Sequence, residues 1–341
     1  MNQTLPLEDF LSQAKNGVLI DVRTPLEYEQ GHIPEAVNIP IFNNDERAEV
    51  GTIYTKQSPE AAIERGLEIV GPKMARFVKE VRTLAKNKPL FLYCWRGGMR
   101  SASMAWLMRT AGMSAVILTG GYKSYRQGFK ELIEGKSWEF IIIAGMTGSG
   151  KTDVLHALSE EGEQVLDLEG LANHKGSVFG HLGQKNQPST ETFVNRIHQA
   201  MNSFSPDRPV WLECESATIG AVTIPDFFFL KMKEGRIVYY EIPREERLKR
   251  LVSEYGVFST ELLESAFLRI KKRLGLENTK KAISLLNEDN LKDAASIALA
   301  YYDKSYSKSL ADFTQHTPVR FYHPEDNPSE IARKIKSLIW N

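Results

Sequence analysis

The chain has 341 residues, 42% hydrophobic and 25% charged, and its 43 basic and 43 acidic side chains balance to zero net charge. That length predicts two domains of ordinary size, and the charge balance gives no global attraction to nucleic acid, so a polyanionic partner would need a local basic surface. No apolar run reaches the roughly 18 residues of a membrane span, and the first residues lack the basic-then-apolar order of a signal peptide. The two cysteines, Cys94 and Cys214, are too few for a disulfide framework, so a reducing, cytoplasmic setting with no membrane fits best.

In chain order, Gly17–Arg23 reads as a short buried strand ending in charged residues. Lys73–Lys86 carries apolar side chains at helical spacing. Pro89–Tyr93 is a strand, Ser101–Thr110 a helix, and Ala115–Leu118 a strand closed by Gly120 and Gly121. Tyr122–Lys136 reads as a polar helix or linker, and a new strand begins at Glu139–Ala144. A domain boundary near Ser137 follows, giving domains of residues 1–136 and 137–341. Further strands are expected at Gln164–Leu168, Val210–Glu213 and Arg236–Glu241. Helices are expected at Lys151–Glu161, Glu191–Asn202, Arg244–Glu254, Ser259–Leu274, Thr279–Leu286, Leu291–Ser305 and Ser329–Ile339. Alternating strands and helices make the chain α/β with parallel sheets, the second domain turning mostly helical towards its end.

The first chemical motif is Cys94-Trp95-Arg96-Gly97-Gly98-Met99-Arg100-Ser101, a loop between a strand and a helix. Such a loop aims backbone N–H groups at one point, and the helix N-terminus adds positive charge, a setting for a thiolate nucleophile beside a bound anion. Arg100, five residues beyond Cys94, is expected to reach back over the loop and neutralise that anion.

The second motif, Gly145-Met-Thr147-Gly148-Ser149-Gly150-Lys151-Thr152, fits the phosphate-loop pattern and lies between a strand and a helix. Its N–H groups from Met146 to Lys151 would cradle phosphate oxygens. Lys151 would add a point charge, and the Thr152 hydroxyl would bind Mg²⁺. Asp167 and Glu169 end one strand, and Glu213 and Glu215 another. Ligands bind at such strand ends, which makes all four candidates for acid, base or metal-side roles. Cys214 is expected to point into the core. Arg244, Arg247 and Arg250 recur at helical spacing and could edge the phosphate site.

Residues 231–281 hold 13 Lys or Arg against 8 Asp or Glu, densest at Arg269, Lys271, Lys272 and Arg273. With Tyr301, Tyr302 and Tyr306 as stacking platforms, this stretch is a candidate RNA surface. His174 and Lys175 sit in a glycine-punctuated loop and could touch a diphosphate or a base.

Leu19-Ile-Asp-Val-Arg-Thr-Pro-Leu-Glu-Tyr-Glu-Gln-Gly-His-Ile-Pro-Glu-Ala-Val-Asn-Ile-Pro40 resembles the first signature of the rhodanese-like sulfurtransferases, and Leu118-Thr-Gly-Gly-Tyr122 their closing segment. The resemblance implies a rhodanese fold, with Cys94 carrying a persulfide or its selenium analogue. It also implies a structural Asp21–Arg23 pair, with Glu27 and His32 fixing the loop after the strand. Ordinary members have a cysteine loop one residue shorter. The spacing here is that of the Cys-dependent phosphatases and can hold a tetrahedral, phosphate-sized group. Rhodanese followed by a phosphate loop, with Asp167–Gly180 and Glu213–Ser216, is similar over nearly the full length to the bacterial tRNA 2-selenouridine synthase family.

That family resemblance implies conversion of wobble 2-thiouridine in tRNA to 2-selenouridine through S-geranyl-2-thiouridine. Geranyl diphosphate and selenophosphate would be substrates, with Cys94 as S-selanylcysteine carrier and selenophosphate synthetase as a donor source. The phosphate loop would then hold the prenyl diphosphate, with Mg²⁺, instead of hydrolysing ATP. A Cys-dependent phosphatase or sulfurtransferase fused to a small-molecule kinase is the alternative reading.

Overall fold

Two runs, Leu90–Tyr93 and Phe140–Ala144, are buried along their whole length, as strands covered on both faces of a parallel sheet must be. Each is the middle strand of its own sheet in the computed structural model, which describes residues 3–311 and 318–340, the side chains of 305–311 excepted. The chain divides into two compact units, Met1–Leu132 and Ile133–Asn341, a few residues ahead of the expected boundary.

In the first unit the strands are β1 (Thr4–Leu5), β2 (Val18–Asp21), β3 (Val37–Asn38), β4 (Leu90–Tyr93) and β5 (Ala115–Leu118). They pair in parallel in the order β1-β5-β4-β2-β3. One face packs Phe77, Val81, Met104 and Met108. The other packs Phe10, Tyr122 and Tyr125. The helix after the cysteine loop spans Met99–Thr110, two residues earlier than expected at its start. Helices Pro25–Gln30, Asn44–Lys56 and Pro59–Val70 add to the expected set, capped by Thr24, Asn43 and Ser58.

The second unit carries β6 (Phe140–Ala144), β7 (Gln164–Leu166), β8 (Val210–Glu213), the hairpin strands β9 (Thr218–Ile219) and β10 (Val222–Thr223), β11 (Arg236–Glu241) and β12 (Val319–Tyr322). The sheet order is β12-β11-β6-β8-β7, all parallel. Helices Lys151–Glu160 and Pro328–Trp340 cover one face, through Val154, Leu155, Leu158, Ile331 and Ile335. A separate helical cluster is built on Leu263, Phe267, Leu286 and Ala298. Strand β7 ends at Leu166, and Leu168 opens a short helix instead of extending the strand. Among the described residues no helix is long and apolar enough to cross a membrane.

Candidate active sites

Cys94 follows directly on β4, and its loop is clamped from behind by the chain after β5. The Tyr122 and Lys123 N–H groups donate to the Cys94 and Trp95 carbonyls at 2.8 and 3.0 Å. Gly121 has φ +63°, and a β-carbon there would lie 2.4 Å from both the Cys94 oxygen and the Gly97 nitrogen. That close approach gives the Thr-Gly-Gly-Tyr segment its physical reason. The Cys94 side chain is buried, with Sγ 3.2 Å from the Ser101 hydroxyl and 3.9 Å from the Gly98 oxygen. A thiolate there can accept the Ser101 hydroxyl hydrogen. Trp95 packs on Tyr122, with ring centroids 5.8 Å apart. Arg96 and Met99 are exposed, and Met99 opens the helix instead of lining the loop.

The Arg100 guanidinium is held by Glu27 at 2.7 and 3.2 Å. Glu27 also accepts the Thr24 N–H in a capping box. Burial pushes the Glu27 carboxyl up, but the Arg100 hydrogen bond and charge outweigh it and hold it below the usual range. Nothing local signals this pair, because 73 residues separate its members. Asp21 and Arg23 do form the buried pair, at 2.6 Å, and Arg23 lies 3.9 Å over the Tyr122 ring.

In the second unit the phosphate loop joins β6 to the helix Lys151–Glu160 and borders a pocket of about 930 Å³. Gly148 and Gly150 have φ near +78° and +77°. The Lys151 ammonium donates to the Gly145 oxygen at 3.1 Å. The Ser149 N–H donates to the Met146 oxygen at 3.1 Å. Two of the three periodic arginines turn to the loop. Buried Arg247 donates to the Thr147 oxygen at 3.2 Å and binds Asp303 through both nitrogens. Arg250 packs on Gly150, binds Asp326 at 2.7 Å through two nitrogens and also meets Asp153. Arg244 points to Ser296.

The four carboxylates divide by role. Asp167 caps the short helix Leu168–Ala172, accepting the Gly170 N–H at 2.7 Å, and Glu169 lies in that helix's first turn; neither ends β7. Glu169 accepts the Thr152 hydroxyl at 3.1 Å and is hydrogen-bonded to Glu215. Glu213 is fully buried and accepts the Glu169 N–H at 2.7 Å through Oε1. Burial above all raises Glu213, with the Glu169 and Asp167 charges adding to it. Burial and the Glu169 charge push Glu215 up to about 8 against the pull of Lys151. Burial raises Glu169 too, while Lys151, Thr152 and Glu215 draw it back.

Among the described residues no three or more His, Cys, Asp and Glu side chains form a metal site by themselves. The Thr152 hydroxyl and the Glu169 and Glu215 oxygens are nevertheless hard donors beside a phosphate cradle. That set fits Mg²⁺, which takes few protein ligands and completes its shell with phosphate and water.

The RNA candidates do not gather in one place. Arg269, Lys271, Lys272 and Arg273 are exposed at the end of the helix Thr260–Leu274, but of these only Arg273 lines the pocket, with Tyr301 and Tyr302. Arg269 donates to His181 Nε2 at 3.2 Å, and the His181 Nδ1–H donates to Val178. The side chain of Tyr306 lies outside the described residues. Lys175 lines the pocket and pairs with Glu254. His174 is buried away from the pocket lining, where burial lowers it and favours the neutral ring; it is not a surface contact. Cys214 is buried with one edge on the pocket. The apolar partners Leu251, Tyr255 and Val178 also line it. Only the helical period of the first two hinted at a shared face.

The sequence profile of the tRNA 2-selenouridine synthase AAA domain matches residues 138–321, and that of the rhodanese-like domain matches residues 7–128. A tRNA 2-selenouridine synthase of Nitrosomonas europaea is 39% identical over 70% of this chain and 63% of its own length. One of Shewanella denitrificans is 34% identical over 94% of this chain and 91% of its own. Another, of Marinobacter nauticus, is 35% identical over 82% and 81%. With an anion loop on a rhodanese-like sheet and a phosphate loop on a second parallel sheet, the chain belongs to the tRNA 2-selenouridine synthase family.

Proposed function

We propose that the protein exchanges the sulfur of wobble 2-thiouridine in tRNA for selenium, in two transfers. The observation that carries this reading is one chain holding both a thiol loop, with Ser101 on the Cys94 sulfur, and a phosphate loop whose Lys151 and Thr152 face a carboxylate pair. In the first transfer the uridine sulfur attacks carbon 1 of geranyl diphosphate. The carbon–oxygen bond breaks, diphosphate leaves, and the N3 proton is lost. Alkylation turns a poor leaving group into a neutral thiol. In the second, selenium from selenophosphate adds to carbon 2, geranylthiol departs, and water takes the place of selenium on phosphorus, yielding phosphate. Selenium stays at one oxidation level throughout, so no redox partner is required.

Cys94 acts at phosphorus in this scheme: its thiolate displaces selenide from selenophosphate, selenide adds to carbon 2, and water then cleaves the phosphorus–sulfur bond. An S-selanylcysteine, in contrast, would need a two-electron oxidant. Arg100, drawn from Glu27, and the loop N–H groups would hold the phosphate portion. Lys151 and the phosphate loop hold the prenyl diphosphate. Thr152 with Glu169 and Glu215 would hold Mg²⁺, which would neutralise the departing diphosphate. The partners are tRNA bearing 2-thiouridine and a selenophosphate synthetase as donor source, in the cytoplasm, where both cysteines stay free thiols.

Half-reactions separate the two loops. Cys94→Ala is expected to stop selenation of preformed S-geranyl-2-thiouridine RNA by at least about 100-fold while leaving geranylation within a few-fold. Lys151→Ala is expected to do the reverse. Nucleoside mass spectrometry reads both. Loss of geranylation in folded Cys94→Ala protein would contradict this division. Hydrolysis of a generic aryl phosphate, abolished by Cys94→Ser, would favour the phosphatase reading.

A further inference from the structure

We infer that His156, held by Asp167 on the wall of the phosphate pocket, is the general base that takes the N3 proton of 2-thiouridine as its sulfur is alkylated. This rests on the prenyl-transfer reading above, in which the N3 proton leaves as the sulfur–carbon bond forms, and it names the acceptor.

The helix Lys151–Glu160 places Thr152 and His156 four residues apart, on one face. Two acids after β7 meet that face in step. Glu169 accepts the Thr152 hydroxyl at 3.1 Å, and one turn further on Asp167 Oδ2 lies 3.1 Å from His156 Nε2. All four residues line the pocket. A carboxylate only accepts, so Nε2 carries the hydrogen and Nδ1 keeps its lone pair. Asp167 is itself held, because its Oδ1 accepts the Gly170 N–H at 2.7 Å as the cap of the next helix. The imidazole is therefore set in one tautomer, and the same carboxylate steadies the imidazolium once Nδ1 takes a proton.

Among the described residues His156 is the one histidine lining the pocket, and its side chain is 57% exposed, open to a substrate as large as RNA. The pocket's other acids are engaged elsewhere. Asp153 and Asp326 bind Arg250, and Glu254 binds Lys175. Glu169 and Glu215 face Lys151 and are hydrogen-bonded to each other. The step balances: the sulfur–carbon bond forms, the carbon–oxygen bond to diphosphate breaks, and the proton passes from N3 to Nδ1. The imidazolium then loses it to water.

The test follows single-turnover geranylation of 2-thiouridine RNA by the full chain, at saturating geranyl diphosphate, by nucleoside mass spectrometry. His156→Ala is expected to slow the transfer at least about 100-fold. Its affinity for inorganic diphosphate, read by calorimetry, is expected to stay within a few-fold of wild type, which also reports an intact fold. Added imidazole is expected to restore about 10-fold of the lost rate, because a free base enters the vacated space. His156→Gln, which fills that space without supplying a base, is expected to lose as much and to gain nothing from imidazole. Wild type that forms no S-geranyl-2-thiouridine would overturn the parent reading and this inference together. Wild type that geranylates, beside His156→Ala that keeps its rate or loses it beyond rescue by imidazole, would overturn this inference alone.

Discussion

Arg100 faces two competing partners. Glu27 holds its guanidinium by two hydrogen bonds, so an anion arriving at Cys94 must draw charge away from a pair already made. Such a partly buried, bidentate pair is stronger than an exposed one. In the other unit the balance is reversed: Glu169 and Glu215 face Lys151 with Glu213 buried behind them, and burial raises all three carboxyls. The sign of the pH effect follows. The folded Glu215 carboxyl sits at about 8 against an ordinary value of 4.5, so the folded chain holds a proton that the unfolded chain releases. Stability therefore falls as pH rises through that window and levels off above it. Glu215→Gln keeps the hydrogen bond to Glu169 and is expected to flatten this slope in denaturant titrations between pH 5 and 8, a window set by the linkage at roughly those pKa values. An unchanged slope would remove Glu215 from the proton account. The strand–loop–helix settings of Cys94 and of the phosphate-loop motif were legible because each pattern is complete within ten or so residues. The Glu27–Arg100 pair and the burial of Glu213 were not, because both depend on long-range packing.

At the scale of elements, each reactive loop leaves the middle strand of its sheet, β4 in one unit and β6 in the other. Continuous apolar runs flanked by glycine made those strands readable. Strands β1 and β3, two residues each, carry no period to read. Helices Pro25–Gln30 and Asn44–Lys56 had a local signal in their Thr24–Glu27 and Asn43–Glu46 capping boxes, which outweighs their weak apolar periodicity. Asp167 is a comparable lesson: an acid after an apolar run was read as a strand end, but Asp167 accepts the Gly170 N–H and starts a helix. The clamp behind the cysteine loop gives a prediction at this scale. Gly121→Ala forces a left-handed backbone, at about 1–2 kcal/mol, and drives a β-carbon into the Cys94 oxygen. Selenation is expected to collapse while inorganic diphosphate binding in the other unit persists. Full selenation activity in Gly121→Ala would contradict the clamp.

At the scale of the whole molecule, zero net charge leaves RNA recognition to local features, and the basic stretch of residues 231–281 is less free than its composition implies. Lys231, Lys249, Arg247 and Arg250 are paired with Glu234, Glu246, Asp303 and Asp326. Only Arg273 of the dense cluster joins Tyr301 and Tyr302 at the pocket. The account therefore rests on the order of two transfers carried by two loops of one chain. The most direct measurement is a time course of nucleosides from 2-thiouridine tRNA incubated with the protein, geranyl diphosphate and selenophosphate. The account predicts S-geranyl-2-thiouridine rising first and then falling as 2-selenouridine accumulates. It is contradicted by 2-selenouridine forming without geranyl diphosphate, or by neither product forming.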